Sequence, residues 1–152
     1  DVIVRKFGLS SYQLLVYGAL DKDLDYVEEC KDLISISGLS EHVKLCGVGN
    51  ASQVLGKGWL FLSSSKSEGL PLALGEAGLA GLPVVCTDVG GSREVVSEQG
   101  VTFGRIVPPQ NPLALARAQL EVFAMCDELE GLVGESDNKR VSLDDLAPLN
   151  PS

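Results

Sequence analysis

Residues 1–130 of this 152-residue chain are predicted to fold as one α/β domain, a parallel sheet with helices on both faces. Three observations predict it. Short continuous apolar runs alternate about five times with segments of helical period. The connections between them are short, as they are where strand and helix pack as neighbours. A composition of 45% hydrophobic and 22% charged residues is that of a globular chain with room for a sizeable core.

Taken in order, Asp1 to Phe7 is too short to classify, although Gly8 as a stop favours the end of a helix. Gln13-Leu-Leu-Val-Tyr17 is a continuous apolar run and reads as a buried parallel strand. From Asp21 to Ser37, the residues Tyr26, Val27, Cys30, Leu33, Ile34 and Ser37 keep the spacing of one helical face, with Gly38 as the stop. The acids at its start, Asp21 to Glu29, suit the positive end of the helix dipole and read as a solvated face. Val43-Lys-Leu-Cys46 is the next strand, and Asn50 caps a short helix from Ala51 to about Lys57.

Trp59-Leu-Phe-Leu62 reads as a buried strand with Trp59 in the core. A helix over Pro71–Ala80, a strand over Pro83–Cys86 and a short helix from Ser92 to Glu98 follow. Gly104-Arg-Ile-Val107 is a last strand, and Asn111-Pro112 caps and opens a helix to about Leu129. Residues 131–152 lack apolar periodicity and are expected to be disordered.

The chemistry concentrates between Ser63 and Val96. Pro71 suits the first position of its helix, which places Glu68, Gly69 and Leu70 at the helix mouth. Free amides and the positive dipole end there suit an anion. Glu76 lies roughly 7–8 Å further along the axis and is the only charged residue between Leu70 and Cys86. A carboxylate in such apolar company calls for hydrogen-bond donors. A nucleotide-sugar would supply them, with ribose hydroxyls on one side of its diphosphate and sugar hydroxyls on the other. Taken singly, Glu68 could merely complement the helix dipole, and Glu76 could simply face solvent.

The run as a whole says more. Ser67-Glu-Gly-Leu-Pro-Leu72, Glu76-Ala, Ala80-Gly-Leu-Pro-Val-Val85 and Thr87-Asp-Val-Gly-Gly91 resemble, in the same order, the family 4 retaining glycosyltransferases. Glu68 and Glu76 match that family's E-x7-E motif. Looser similarity extends from Gln13 to Arg117. Asp25-Tyr-Val-Glu-Glu-Cys-Lys-Asp-Leu33 with Gly38-Leu39 is similar to the branch holding bacterial exopolysaccharide-synthesising enzymes and large fungal proteins.

The resemblance implies the donor-binding, C-terminal half of a GT-B fold, Rossmann-like and truncated at its start. It implies hexosyl transfer, with retention, from a nucleotide-sugar to an acceptor. Glu76 would hold the ribose hydroxyls, and Glu68 would be the catalytic position, holding the donor sugar near its reacting carbon. The backbone of Gly69, Leu70, Pro71 and Leu72 would take the diphosphate, and that of Gly47 and Val48 the base. No metal or other cofactor is implied.

There are departures. The arginine and lysine that the family carries ahead of the first helix would fall before residue 1, and Arg5 and Lys6 lie too close to the first strand to replace them. The acceptor-binding domain is missing, so little turnover is expected of this segment alone. Gly75 and Gly78 stand where larger residues are usual, each costing the helix about 1 kcal/mol against alanine. They allow close helix packing or a loosened site. Alternative readings are a non-catalytic interaction or regulatory module, and another GT-B enzyme such as a sugar-nucleotide epimerase.

A net charge of −9 argues against nucleic acid or an anionic membrane surface as the main partner. Cys30, Cys46, Cys86 and Cys126 are scattered, and His42 is the lone imidazole, so a zinc site is not expected. Reduced thiols point to a cytoplasmic protein, whose parent chain could still work at the cytosolic face of a membrane. The most apolar run is broken by prolines, glycines and Glu76 and is no membrane span. Arg93 could reach a phosphate after the glycine turn, but a carboxylate partner such as Glu94 or Glu98 is the simpler reading.

Overall fold

A computed structural model describes residues 12–98 and 101–131. The expectations for Asp1–Phe7 and for the tail beyond 131 lie outside the described residues. The chain divides between Val54 and Leu55 into two compact units. Each contains a parallel sheet with helices between its strands, and the fold is Rossmann-like α/β.

In the first unit, β1 (Leu14–Tyr17) pairs in parallel with β2 (Val43–Gly47). Between them lies α1 (Leu24–Ile36). Asp23 caps α1 by accepting from the Tyr26 amide at 3.1 Å, and Gly38, at φ 66°, turns the chain out of it. The predicted apolar face is only partly used. Val27 is the one buried residue of α1, while Tyr26 and Leu33 are exposed. Nor is β1 buried as its apolar run predicts, since Leu15, Val16 and Tyr17 are exposed. Among the described residues its sheet has only two strands, and the one helix between them buries only Val27, so little covers the faces of β1. Asn50 opens α2 (Ala51–Leu55) as expected, accepting from the Ser52 amide at 3.0 Å and its hydroxyl at 2.6 Å.

The second unit carries a three-stranded parallel sheet in the order β3 (Phe61–Ser63), β4 (Val84–Thr87), β7 (Gly104–Val107). Central β4 is buried along its whole length, as its apolar Val84-Val85-Cys86 run requires, and Thr87 at its end is buried too. Its side chains alternate between two cores. Val84 and Cys86 join Leu55, Ala77 and Val96 together with Leu74, on the face covered by α3 (Leu72–Leu79) and α4 (Ser92–Val96). Val85 turns the other way, to Val107, Ala118 and Val122 of β7 and α5 (Pro112–Gly131). Helices therefore cover both faces of this sheet. Burying each of these valine and leucine side chains stabilises the fold by about 1.5–3 kcal/mol.

Several boundaries differ from the sequence reading. Trp59 is not core: it precedes β3 and is 68% exposed, because the strand starts two residues later than its apolar run. Pro71 is the N-cap of α3, one position ahead of the predicted first turn; its ψ of 85° is not helical. The helix after the glycine turn stops at Val96, where Ser97 turns extended and opens a hairpin of β5 (Ser97–Glu98) with antiparallel β6 (Val101–Thr102). Asn111 does cap α5, accepting from the Ala114 amide at 3.0 Å.

Candidate functional site

The site is built at the carboxyl ends of β3 and β4, where parallel sheets of this class hold ligands. From Ser63 the chain runs through an open loop to Pro71. Pro71 is itself buried and brings no side-chain acceptor to the helix it opens. The first turn of α3 holds no acidic residue either. Its leading amides, Leu72 and Ala73, are thus free to meet an anion at the positive end of the dipole.

Glu68 sits in the loop just before this mouth. It is exposed, and its Oε1 accepts a hydrogen bond of 2.7 Å from the Ser65 hydroxyl. Ser65 is in turn fixed through its carbonyl, which accepts from Thr87 Oγ1 at 2.7 Å. The turn after β4 completes the frame. The Gly91 amide donates to the Gly69 carbonyl at 2.8 Å. Gly90, at φ 51°, packs so closely on the Glu68 and Gly69 carbonyls that a Cβ there would overlap both.

Glu76 projects from the second turn of α3 on the exposed face it shares with Leu72 and Leu79, while Leu74 and Ala77 bury the opposite face. Gly78 is where α3 makes room. A Cβ there would come within 2.8 Å of the Phe103 ring, so this glycine permits the close packing that its sequence position allowed.

The other expected residues are placed as follows. Gly69, Leu70, Pro71 and Leu72 lead into α3 beside Glu68, and Leu70 and Leu72 are exposed. Gly47 and Val48 belong to the first unit, at the carboxyl end of β2, where Gly47 has φ 73° and Val48 is exposed. Arg93 has a carboxylate partner, Asp88: its Nη2 donates to Oδ2 at 2.6 Å, and that hydrogen bond raises its pKa. The α4 turn places it back over the strand end. His42 bonds through Nδ1 to the Tyr12 carbonyl at 3.0 Å, in the first unit. Among the described residues no three His, Cys, Asp or Glu side chains cluster as metal ligands would. None of the helices described is long and apolar enough to cross a membrane.

Sequence reading did not single out Ser65 or Thr87, and it took Gly90 only as part of the glycine turn that follows the strand. The signals were present: a run of serines leading to Glu68, a hydroxyl ending a buried strand, and a double glycine after it.

No curated protein sequence matches the chain. Among solved structures it is similar to Anabaena HepE in complex with UDP, at 25% identity and a TM-score of 0.69, covering 85% of this chain and 35% of that one. The HepE complex with UDP-glucose matches at 26% identity and a TM-score of 0.64, covering 82% and 35% of the two chains. Sucrose-phosphate synthase of Thermosynechococcus elongatus is 26% identical with a TM-score of 0.65, over 74% of this chain and 29% of that one. A glycosyltransferase of Rickettsia africae shares the fold at 22% identity and a TM-score of 0.71, over 82% and 34%. The chain spans about a third of the length of these structures. The sequence model of the glycosyl transferases group 1 matches residues 2–124. With most of its length inside that model and its strand-end loops built around Glu68, the chain belongs to the glycosyl transferases group 1 family.

Proposed function

We propose that this chain is the donor-binding part of a retaining glycosyltransferase that moves a hexose from a nucleoside-diphosphate sugar to an acceptor. The observation that carries the reading is the placement of Glu68. It stands beside an uncapped helix mouth, held from Ser65 and backed by the glycine turn after β4.

In the reaction the bond from the anomeric carbon to the diphosphate oxygen breaks, and a bond to the acceptor oxygen forms on the same face. The acceptor hydroxyl loses its proton, and the diphosphate leaves with the electron pair. Negative charge grows on that leaving group, and the Leu72 and Ala73 amides with the dipole of α3 stabilise it there. Gly69 lets the backbone come close to it. Glu68 accepts hydrogen bonds from the donor sugar hydroxyls and so fixes the reacting carbon, which is catalysis by position. Glu76 takes the ribose hydroxyls. No metal is assigned a part.

Two further facts support the reading. HepE was crystallised with UDP and with UDP-glucose, and the Gly69–Leu72 backbone has no side-chain competitor at the helix start. Calorimetry of the full-length protein with UDP-, GDP- and ADP-sugars tests it. Saturable binding of one base class is expected. Absence of binding to all three would contradict the reading and favour a non-catalytic module.

A further inference from the structure

We propose that Ser65 and Thr87 are positioning residues for Glu68, forming a relay from the buried end of β4 to the carboxylate. The inference rests on the reading of Glu68 as the contact to the donor sugar, and it adds how that contact is held.

Glu68 has an exposed side chain on a loop, where a free glutamate samples many rotamers and loses that freedom on binding. Here it is not free. Ser65 Oγ donates to Oε1 at 2.7 Å, within the range of a charge-assisted bond. Ser65 would itself be mobile, as a loop residue, but its carbonyl is gripped by Thr87 Oγ1 at 2.7 Å. Thr87 ends a strand buried along its whole length and is itself buried. A rigid strand end thus controls the direction of a carboxylate 19 residues earlier in the chain, through two hydrogen bonds.

The main chain is held from the same side. Gly91 N bonds to Gly69 O, and Gly90 packs on the Glu68 and Gly69 carbonyls. A carboxylate offers about four acceptor positions. Ser65 takes one of them and leaves the remainder for a sugar's hydroxyls. The relay therefore acts on sugar recognition and not on the helix amides that receive the diphosphate.

The test separates these two parts of the ligand. Affinities for UDP and for UDP-glucose are measured by calorimetry on the full-length protein and on Glu68→Ala, Ser65→Ala, Thr87→Val and Thr87→Ser. Where wild type uses another base, the matching diphosphate and its glucose ester are used. Ser65→Ala, which loses the charge-assisted bond to Glu68, and Thr87→Val, which loses the neutral bond holding the Ser65 carbonyl, are each expected to weaken UDP-glucose up to about tenfold. UDP affinity should stay within about twofold, and Thr87→Ser should restore the wild-type value. If Glu68→Ala weakens UDP-glucose while the Ser65 and Thr87 variants do not, the relay is overturned and the role of Glu68 stands. If Glu68→Ala has no effect, both fall. Equal losses for UDP and UDP-glucose in Thr87→Val, unrepaired in Thr87→Ser, would mark a purely structural threonine and also overturn the relay.

Discussion

The amide of Gly91 donates to the carbonyl of Gly69 across 2.8 Å, joining the turn after β4 to the loop ahead of α3. The two segments are 22 residues apart in sequence, and each follows the carboxyl end of a parallel strand. Adjacent parallel strands bring their following loops together, and here the contact is close enough to exclude any side chain larger than hydrogen at position 90.

Gly90→Ala should therefore be costly. Its Cβ would run into the carbonyls of Glu68 and Gly69, and these are backbone atoms that cannot swing aside. The residue also holds a φ of 51°, which alanine adopts with strain. A loss of about 2 kcal/mol or more in urea unfolding is expected. A variant as stable as wild type would show that the turn does not pack on the loop.

The two helix glycines of α3 should behave oppositely. At Gly75 an added Cβ would lie 3.7 Å from Val95 Cγ1, an ordinary contact, so Gly75→Ala should stabilise by about 0.5–1 kcal/mol through helix propensity. At Gly78 the same methyl meets the Phe103 ring at 2.8 Å. Gly78→Ala should give no gain, because the ring must move. Thermal unfolding of both variants checks the difference.

The strength of the sequence signal varied with local context. The β3–α3–β4 run was legible because β4 is covered by helices on both faces, so Val84, Val85 and Cys86 are all apolar, and because proline and glycine mark the two ends of α3. Trp59 and the residues Leu15 to Tyr17 of β1 look the same in sequence, yet they are exposed, since periodicity records apolarity and not which neighbours arrive to cover it. Arg93 has the carboxylate partner expected of it, but not the neighbour along the helix. Glu94 is adjacent in sequence, whereas the turn folds Asp88, five residues back, under the guanidinium. Glu68 was legible as a type at a spacing. Its support by Ser65 and Thr87 was not, because that depends on a contact across 22 residues.

Thiol chemistry should follow burial. Cys86 is 1% exposed, and burial, with Asp88 as the lesser cause, pushes its thiol up to about 11 from an ordinary 9.0. Folding thus favours the neutral thiol. Its contribution to stability is complete below about pH 9 and is lost as the pH rises from there toward 11. At pH 8 only about a thousandth of Cys86 would be thiolate. Exposed Cys46 should be carbamidomethylated by iodoacetamide, and Cys86 spared until urea is added, as read by peptide mass spectrometry. Equal labelling of the two in the native state would contradict the buried β4.

The most direct test of the account is the affinity of Glu76→Ala for the bare nucleoside diphosphate. Glu76 is assigned the ribose, which UDP and UDP-glucose have in common, so its loss should weaken both about tenfold or more. Glu68→Ala should weaken only the sugar-bearing ligand. Unchanged UDP affinity in Glu76→Ala, in a protein shown by thermal unfolding to remain folded, would contradict a donor held between these two carboxylates.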